Sequence, residues 1–274
     1  MLKQRVFTAL GLAPLVLAAV LLMPNPYLAI VFAGVLLVGG REWAVLSGLP
    51  GLPGQLIYLL IICLLLAASS VFLDRSGWIT GFLLLSLGWW LLVLYRLSRF
   101  RSDSQLTGFN LLQCIEGILV LIPAWLALVM IHGLPHDGPL LLVFLLLLIW
   151  SADIGAYFSG KRWGRVKLAP RVSPGKTREG LYGAIVSAFC WGVILAWWQG
   201  LEPQWVPLAI VLCVLTALFS VVGDLFESML KRQRGVKDSG HLLPGHGGML
   251  DRIDSLTAAA PIFFLGLKLM EQLQ

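Results

Sequence analysis

The chain has 274 residues, of which 58% are hydrophobic and only 12% are charged, and its mean hydropathy is +0.88. A soluble globular domain carries about 25% charged residues, so this composition excludes one and indicates a surface that is largely solvated by lipid. In such a chain the net charge of +6 first reports membrane topology, and we expect no nucleic-acid partner.

Nine apolar segments are long enough to cross a bilayer as helices, which takes about 20 residues each. Each must be helical, because an isolated strand cannot pair its backbone groups in lipid. They lie at 5–23, 27–46, 56–72, 78–96, 111–132, 139–159, 179–199, 204–230 and 249–271. The first is interpreted as a membrane helix, since no small-x-small cleavage site follows it.

The connections leave no room for a separate soluble domain. The sequence therefore predicts an all-α, polytopic membrane protein with a single domain over 1–274. Within it, residues 1–110 are interpreted as scaffold spans, and residues 111–274 as the catalytic spans and loops.

The basic residues predict the orientation of the chain. With the N-terminus inside, 18 of the 20 Lys and Arg residues fall in cytoplasmic segments, and only Arg75 and Lys268 fall outside. Cytoplasmic connections of membrane proteins carry this excess. We therefore predict an N-inside, C-outside topology.

Acidic residues are unusually frequent at membrane depth. A carboxylate there costs several kcal/mol unless it meets a cation, water or a cavity. Seven such residues predict a polar chamber: Glu42, Glu116, Asp153, Asp224, Glu227, Asp251 and Asp254.

Four of these acids form two pairs at the facing ends of the last two spans. Asp224 and Glu227 are three residues apart, as are Asp251 and Asp254, so each pair shares one helix face. Such carboxylates suit Mg²⁺, which prefers oxygen ligands. The alternative is that they form structural ion pairs with three nearby basic residues, Lys231, Arg232 and Arg252.

The connection between these spans, 231–248, combines several basic residues with two histidines and five glycines. Glycines let the backbone approach an anion closely, and Lys and Arg neutralise phosphates. Gly247 and Gly248 lead into the ninth span, whose N-terminus favours an anion. The sequence therefore predicts phosphate binding in this connection.

An earlier connection contains Ser-Pro-Gly-Lys-Thr-Arg-Glu-Gly over 173–180. A P-loop is excluded, because Pro170 stands where that motif needs glycine and no strand is predicted before it. Ser173 is predicted to cap a turn or a helix start. Lys176 and Arg178 are predicted phosphate ligands.

The segment from Ser228 to Asp254 resembles the signature of the phosphatidate cytidylyltransferase family over its full 27 positions. It reads Ser-Met-Leu-Lys-Arg, four further residues, and then Lys-Asp-Ser-Gly-His-Leu-Leu-Pro-Gly-His-Gly-Gly-Met-Leu-Asp-Arg-Ile-Asp. The segment 173–180 and the Asp-x-x-Ala-Tyr-x-x-Gly segment at 153–160 also resemble this family.

The resemblance implies that CTP and phosphatidic acid give CDP-diacylglycerol and pyrophosphate. It also implies Mg²⁺, alone or together with a second cation, a homodimer and the bacterial inner membrane, with the active site on the cytoplasmic side. The predicted metal ligands are Asp224, Asp251, Asp254 and Glu227. The predicted catalytic residues are Asp224, Asp251, Lys176, Lys237 and His246. The predicted substrate-binding residues are Ser173, Thr177, Arg178, Glu179, Ser228, Lys231, Arg232, Gly247, Gly248 and Arg252.

Three alternatives stay open. The first two are enzymes acting on a different lipid, namely a related lipid cytidylyltransferase, such as a CDP-archaeol synthase, and a polyprenol kinase. The third is a secondary transporter, which is disfavoured because transporter sites lie near the midplane between repeated halves. Here the polar residues cluster at one face, and no repeat is visible.

Overall fold

A computed structural model describes residues 2–71, 73, 76–100, 106–240, 242 and 247–273. Within them the chain forms nine α-helices: α1 Leu2–Leu22, α2 Asn25–Leu46, α3 Gly51–Ser70, α4 Ser76–Arg99, α5 Leu111–His132, α6 Gly138–Trp163, α7 Arg178–Trp198, α8 Val206–Gln233 and α9 Leu250–Leu273. Arg75 and His246, which entered the predictions above, lie outside the described residues.

The predicted all-α membrane architecture is confirmed. Eight helices, α2 to α9, are long and apolar enough to cross a membrane, and Gly11–Leu22 of α1 forms a shorter apolar segment. The largest difference in a helix bound is at α3, which begins at Gly51 rather than at residue 56. The predicted orientation of the chain stays a prediction.

The helices differ widely in burial. In the most apolar window of α5, 78% of the residues are buried, against 17% in α3. Helix α5 packs against α2, α3, α4, α6 and α9. It is therefore the central helix of the bundle, and α3 lies at its periphery.

Close glycine contacts hold α6, α7, α8 and α9 together in series. A Cβ on Gly183 of α7 would lie 2.5 Å from the carbonyl oxygen of Gly155 in α6. A Cβ on Gly192 of α7 would lie 2.4 Å from the Cα of Ile210 in α8. Side chains larger than hydrogen would force these helices apart, so the backbones meet directly.

The connection between α6 and α7 corrects two predictions. It forms an antiparallel hairpin of β1 Lys167–Ala169 and β2 Ser173–Thr177, where no strand was predicted. Ser173 pairs with Ala169 inside this hairpin, so it does not cap a helix start, and its capping of a turn stays a prediction. Thr177 caps α7 instead, because it directly precedes the helix, and its hydroxyl accepts a 3.1 Å hydrogen bond from the Gly180 N–H.

Candidate active site

The carboxylates meet where α8 crosses α9. A Cβ on Gly223 would lie only 2.4 Å from the Asp254 carbonyl oxygen, so the two helices touch at this level. Within about one helical turn of that contact lie Asp224 and Glu227 on α8, and Asp251 and Asp254 on α9. Asp224, Asp251 and Asp254 line a cavity of about 860 Å³. The predicted convergence of the two pairs is therefore observed.

Lys231 bridges the two helices inside this cluster. Its Nζ lies 2.5 Å from Asp251 Oδ1 and 3.3 Å from Glu227 Oε1. The structural ion pairs considered from the sequence thus exist for Lys231. Arg232 behaves differently, because its guanidinium donates to the backbone carbonyl oxygens of Val172 and Val236.

Glu227 is the most constrained acid of the cluster. Its side chain is buried, Lys231 lies within ion-pair distance of Oε1, and the Asp254 carboxyl is near enough to share a hydrogen bond when one of the two acids carries a proton. Asp254 lies close enough for the two carboxylates to repel when both are ionised. An additional cation would therefore relieve a real electrostatic cost at this position.

Asp224 connects the cluster to the β-hairpin. Its Oδ2 lies 2.7 Å from Lys176 Nζ on β2, and its Oδ1 accepts a 3.3 Å hydrogen bond from the Ser228 hydroxyl. Asp153 of α6 also lines the cavity and interacts electrostatically with both Lys176 and Asp224. The hairpin thus carries one ammonium group to the rim of the carboxylate cluster.

Asp251 is held by the segment that precedes its own helix. Its Oδ2 accepts hydrogen bonds from the Gly248 N–H at 2.7 Å and from the Ser239 N–H at 3.0 Å. Gly247 has φ +82°, and a Cβ there would lie 2.5 Å from Asp251 Oδ2. In this arrangement the Gly248 N–H, predicted to face phosphate, faces the Asp251 carboxylate.

The remaining predicted residues fall into three groups. Thr177 and Glu179 support the base of the hairpin, since the Glu179 carboxylate accepts from the Val166 N–H at 3.2 Å. Three basic side chains are exposed to solvent, namely Arg178, Lys237 and Arg252, and Arg252 also lines the cavity. His246 lies outside the described residues.

Glu42 of α2 is a member of the site to which the sequence analysis assigned no specific role. Its carboxylate accepts from the N–H groups of Met249 and Leu250, at 2.9 and 2.7 Å, and lies 2.9 Å from the Ser239 hydroxyl. The only signal in the sequence was an acidic residue inside an apolar span. Its partners lie about 200 positions further along the chain.

The cavity is amphipathic. Opposite the carboxylates its wall consists of apolar side chains from α1, α2, α5 and α6, among them Val16, Phe32, Leu128 and Leu146. The polar end combines acids with the ammonium group of Lys231. This arrangement suits a molecule that has an anionic head and long apolar chains.

The carboxylates offer few ligands to a metal ion without help from substrate or water. Among the described residues no group of three or more His, Cys, Asp or Glu side chains is arranged to hold a metal ion. Mg²⁺ commonly uses one or two protein carboxylates, with water and substrate phosphate oxygens completing its shell. Asp224 and Asp251, which line one cavity, fit that smaller requirement.

Comparison with known proteins agrees with this chemistry. The profile of the cytidylyltransferase family matches residues 3–270. The chain is 41% identical over 263 residues to phosphatidate cytidylyltransferase of Pseudomonas aeruginosa, covering 96% of each protein. It is 38% identical over 283 residues to the protein of that name from Haemophilus influenzae, covering 96% of this chain and 97% of the relative. The chain therefore belongs to the cytidylyltransferase family.

Proposed function

We propose that this protein transfers the cytidylyl group of CTP to phosphatidic acid, giving CDP-diacylglycerol and pyrophosphate for phospholipid synthesis. Two relatives named phosphatidate cytidylyltransferase, similar along nearly their whole length, support this activity. The structural observation that carries the proposal is the cavity, in which an apolar wall leads to a cluster of carboxylates around Lys231. A membrane lipid with a phosphate headgroup has the matching distribution of polarity.

The reaction joins two anions. A phosphate oxygen of phosphatidic acid attacks the α-phosphorus of CTP, and the bond from that phosphorus to the oxygen bridging to the β-phosphate breaks. Pyrophosphate leaves with the electron pair. The attacking phosphate is already ionised near neutral pH, so the site needs charge neutralisation more than it needs a strong base.

Lys176 and Lys231 are placed to supply part of that neutralisation. Both ammonium groups are engaged by carboxylates, Lys176 by Asp224 and Lys231 by Asp251. Incoming phosphates would compete for these lysines, which bind phosphate as compact charges with three N–H donors. The carboxylates that they leave would then be free to bind a cation.

Mg²⁺ is a further part of the proposal. Asp224 and Asp251 would hold it, with Asp254 and Glu227 beside them, and a second cation would offset the remaining acidic charge. When bound, Mg²⁺ neutralises phosphate oxygens and so lowers the repulsion between the two substrates. The cavity that Asp224, Asp251 and Asp254 share, with the buried Glu227 close to Asp254, supports this assignment.

We also propose that the protein is a homodimer in the bacterial inner membrane, with its site on the cytoplasmic side. Bacterial relatives and the distribution of Lys and Arg support the location, and the family resemblance supports the dimer. The acids lie at the junction of α8 and α9 with their connection. A transporter site near the midplane is therefore the weaker interpretation.

The test is conversion of radiolabelled CTP to a chloroform-soluble product by the purified protein with phosphatidic acid and Mg²⁺. Polyprenols and other lipid phosphates serve as competing substrates. We expect Asp224→Asn and Asp251→Asn each to lower the rate by roughly 100-fold or more, because each removes a charge aimed at the reacting phosphates.

Asp137→Asn is the matched control. Asp137 is exposed at the start of α6 with φ 57°, a conformation that asparagine tolerates well. The activity of the Asp137→Asn variant is expected to equal that of the unmodified protein. Near-normal turnover in both Asp224→Asn and Asp251→Asn would refute the site, and a product formed only from another lipid would refute the substrate.

A further inference from the structure

We infer that Glu42 is a positioning residue for the transfer reaction. From α2 it fixes the start of α9 and the hydroxyl of Ser239, and through them it sets the Asp251 carboxylate in the cavity. The inference rests on the proposed function. It assigns a role in the site to a helix far from the acidic pairs in the sequence.

Glu42 caps the N-terminus of α9 from another helix. The first N–H groups of a helix have no partner within the helix, and a Ser, Thr, Asp or Asn side chain just before it usually accepts from them. Here Met249 precedes the helix and cannot do so. Glu42 takes that place from another helix, since Oε1 accepts from the Met249 N–H at 2.9 Å and Oε2 from the Leu250 N–H at 2.7 Å.

Ser239 links Glu42 to Asp251. Ser239 Oγ lies 2.9 Å from Glu42 Oε2 and 3.0 Å from Asp251 Oδ2. Its single proton is donated to one of these two acceptors. The Ser239 N–H also donates to Asp251 Oδ2 at 3.0 Å. One buried serine thus joins the carboxylate on α2 to the proposed metal ligand on α9.

The chain around the Glu42 carboxylate leaves room for it. A Cβ on Gly240 would lie 2.5 Å from Glu42 Oε1, and a Cβ on Gly248 would lie 2.4 Å from Glu42 Oε2. Two glycines of the connection before α9 therefore leave room for this carboxylate. The partial positive charge of the helix N-terminus stabilises its negative charge. The contacts describe a site shaped around Glu42.

The main test compares Glu42→Gln and Ser239→Ala in cytidylyl transfer from CTP to phosphatidic acid. Glutamine keeps the size but turns one of the two acceptors into a donor that faces an N–H group. Alanine removes only the hydroxyl between the two carboxylates. Groups that orient metal-binding side chains typically contribute 10- to 100-fold, so we expect each variant to lose about 10-fold or more in rate.

A double variant separates positioning from mere stabilisation. If both residues act through Asp251, Glu42→Gln combined with Ser239→Ala loses no more rate than the worse single variant, because residues in one pathway are not additive. If the two residues only stabilise the fold, the rate losses of the single variants are expected to multiply in the double variant. Each loss in rate is then expected to accompany a lower melting temperature. Ser239→Ala keeps the inference testable even where Glu42→Gln folds poorly.

Hydrogen exchange gives a readout that is independent of activity. In Glu42→Gln the amides of Met249 and Leu250 are expected to exchange faster, because they lose an acceptor, whereas in Ser239→Ala they stay near the rate of the unmodified protein. Glu271→Gln is the matched control, since Glu271 is exposed at the far end of α9 and pairs with Lys268 across one turn of the same helix.

The outcomes separate this inference from the proposed function. If the unmodified protein makes no lipid product from CTP and phosphatidic acid, the proposed function fails. If the unmodified protein is active, and Glu42→Gln and Ser239→Ala match it in rate, the positioning role of Glu42 is wrong. Unchanged exchange at Met249 and Leu250 in Glu42→Gln would overturn the capping step.

Discussion

Lys231 shows how strongly the site depends on single charges. Its ammonium group lies between Asp251 and Glu227, at 2.5 and 3.3 Å, in a part of the bundle where both acids are largely shielded from solvent. A buried ion pair contributes little net stability compared with apolar residues, but removing one partner leaves the other charge without compensation. Lys231 is therefore important for stability as well as for the proposed chemistry.

Lys231→Met is expected to destabilise the protein by about 3–5 kcal/mol, because methionine keeps the apolar stem and deletes the charge between two acids. The measurement is the melting temperature of the purified protein in detergent. Added Mg²⁺ is expected to raise that temperature more in the variant than in the unmodified protein, since a cation then replaces the missing ammonium group.

Lys268→Met provides the comparison for this change. Lys268 forms a 2.6 Å ion pair with Glu271, whose side chain is 67% exposed, and such surface pairs contribute about 0–1 kcal/mol. The melting temperature of the Lys268→Met variant is expected to stay close to that of the unmodified protein. Equal behaviour of the two lysine variants would contradict the description of Lys231 as the shared counter-ion.

At the scale of the helices, the contact between α8 and α9 determines where the acids lie. Gly223→Ala is expected to separate the two helices, because the new Cβ would lie 2.4 Å from the Asp254 carbonyl oxygen and 3.2 Å from the Ala258 Cβ. Overpacking of this kind costs about 1–3 kcal/mol. We expect a lower melting temperature together with a loss of cytidylyl transfer.

Gly88→Ala in α4 is the control for this prediction. A Cβ at Gly88 would meet no atom of the described residues within 4 Å, and alanine is about 1 kcal/mol better than glycine inside a helix. This variant is expected to be at least as stable as the unmodified protein and equally active. If Gly223→Ala behaved like Gly88→Ala, the close crossing of α8 and α9 would be wrong.

The helices also show what the sequence can and cannot predict. The bounds of α5 agree with the prediction of 111–132, because a long apolar run between polar ends has one stable solution in lipid. Hydropathy did not distinguish buried α5 from peripheral α3, since lipid and protein interior are both apolar. That distinction depends on tertiary packing.

Two details of the site depended on contacts that no local pattern records. The hairpin was missed because Pro170, Pro174 and Gly175 are typical of loops, and its strands of three and five residues are too short to show a clear alternating pattern. Glu42 was recognised as an acid at membrane depth, but its acceptor role depends on Met249, 207 positions away. The two acidic pairs were predictable, because helical spacing and span order bring them together.

At the scale of the whole molecule, nine helices in alternation would place the α6–α7 hairpin and the α8–α9 connection on the same side of the membrane. The proposed reaction requires that side to be the cytoplasm, because CTP is made and kept there. In this orientation the proposed reaction would draw CTP from the cytoplasm at the polar end of the cavity, and the lipid chains would lie along its apolar wall.

This orientation predicts the labelling of two single cysteines. His136 lies in the exposed turn between α5 and α6, and Lys167 is the exposed first residue of strand β1. Each is changed to cysteine in a protein whose four native cysteines are replaced by alanine. A membrane-impermeant maleimide is expected to label position 136 in intact spheroplasts, and position 167 only after the membrane is opened, because the two connections lie on opposite sides. Retained cytidylyl transfer confirms that each variant is folded. Labelling of position 167 in intact spheroplasts would place the carboxylate end of the cavity outside the cell, where CTP cannot reach it, and both the topology and the cytoplasmic site would then be wrong.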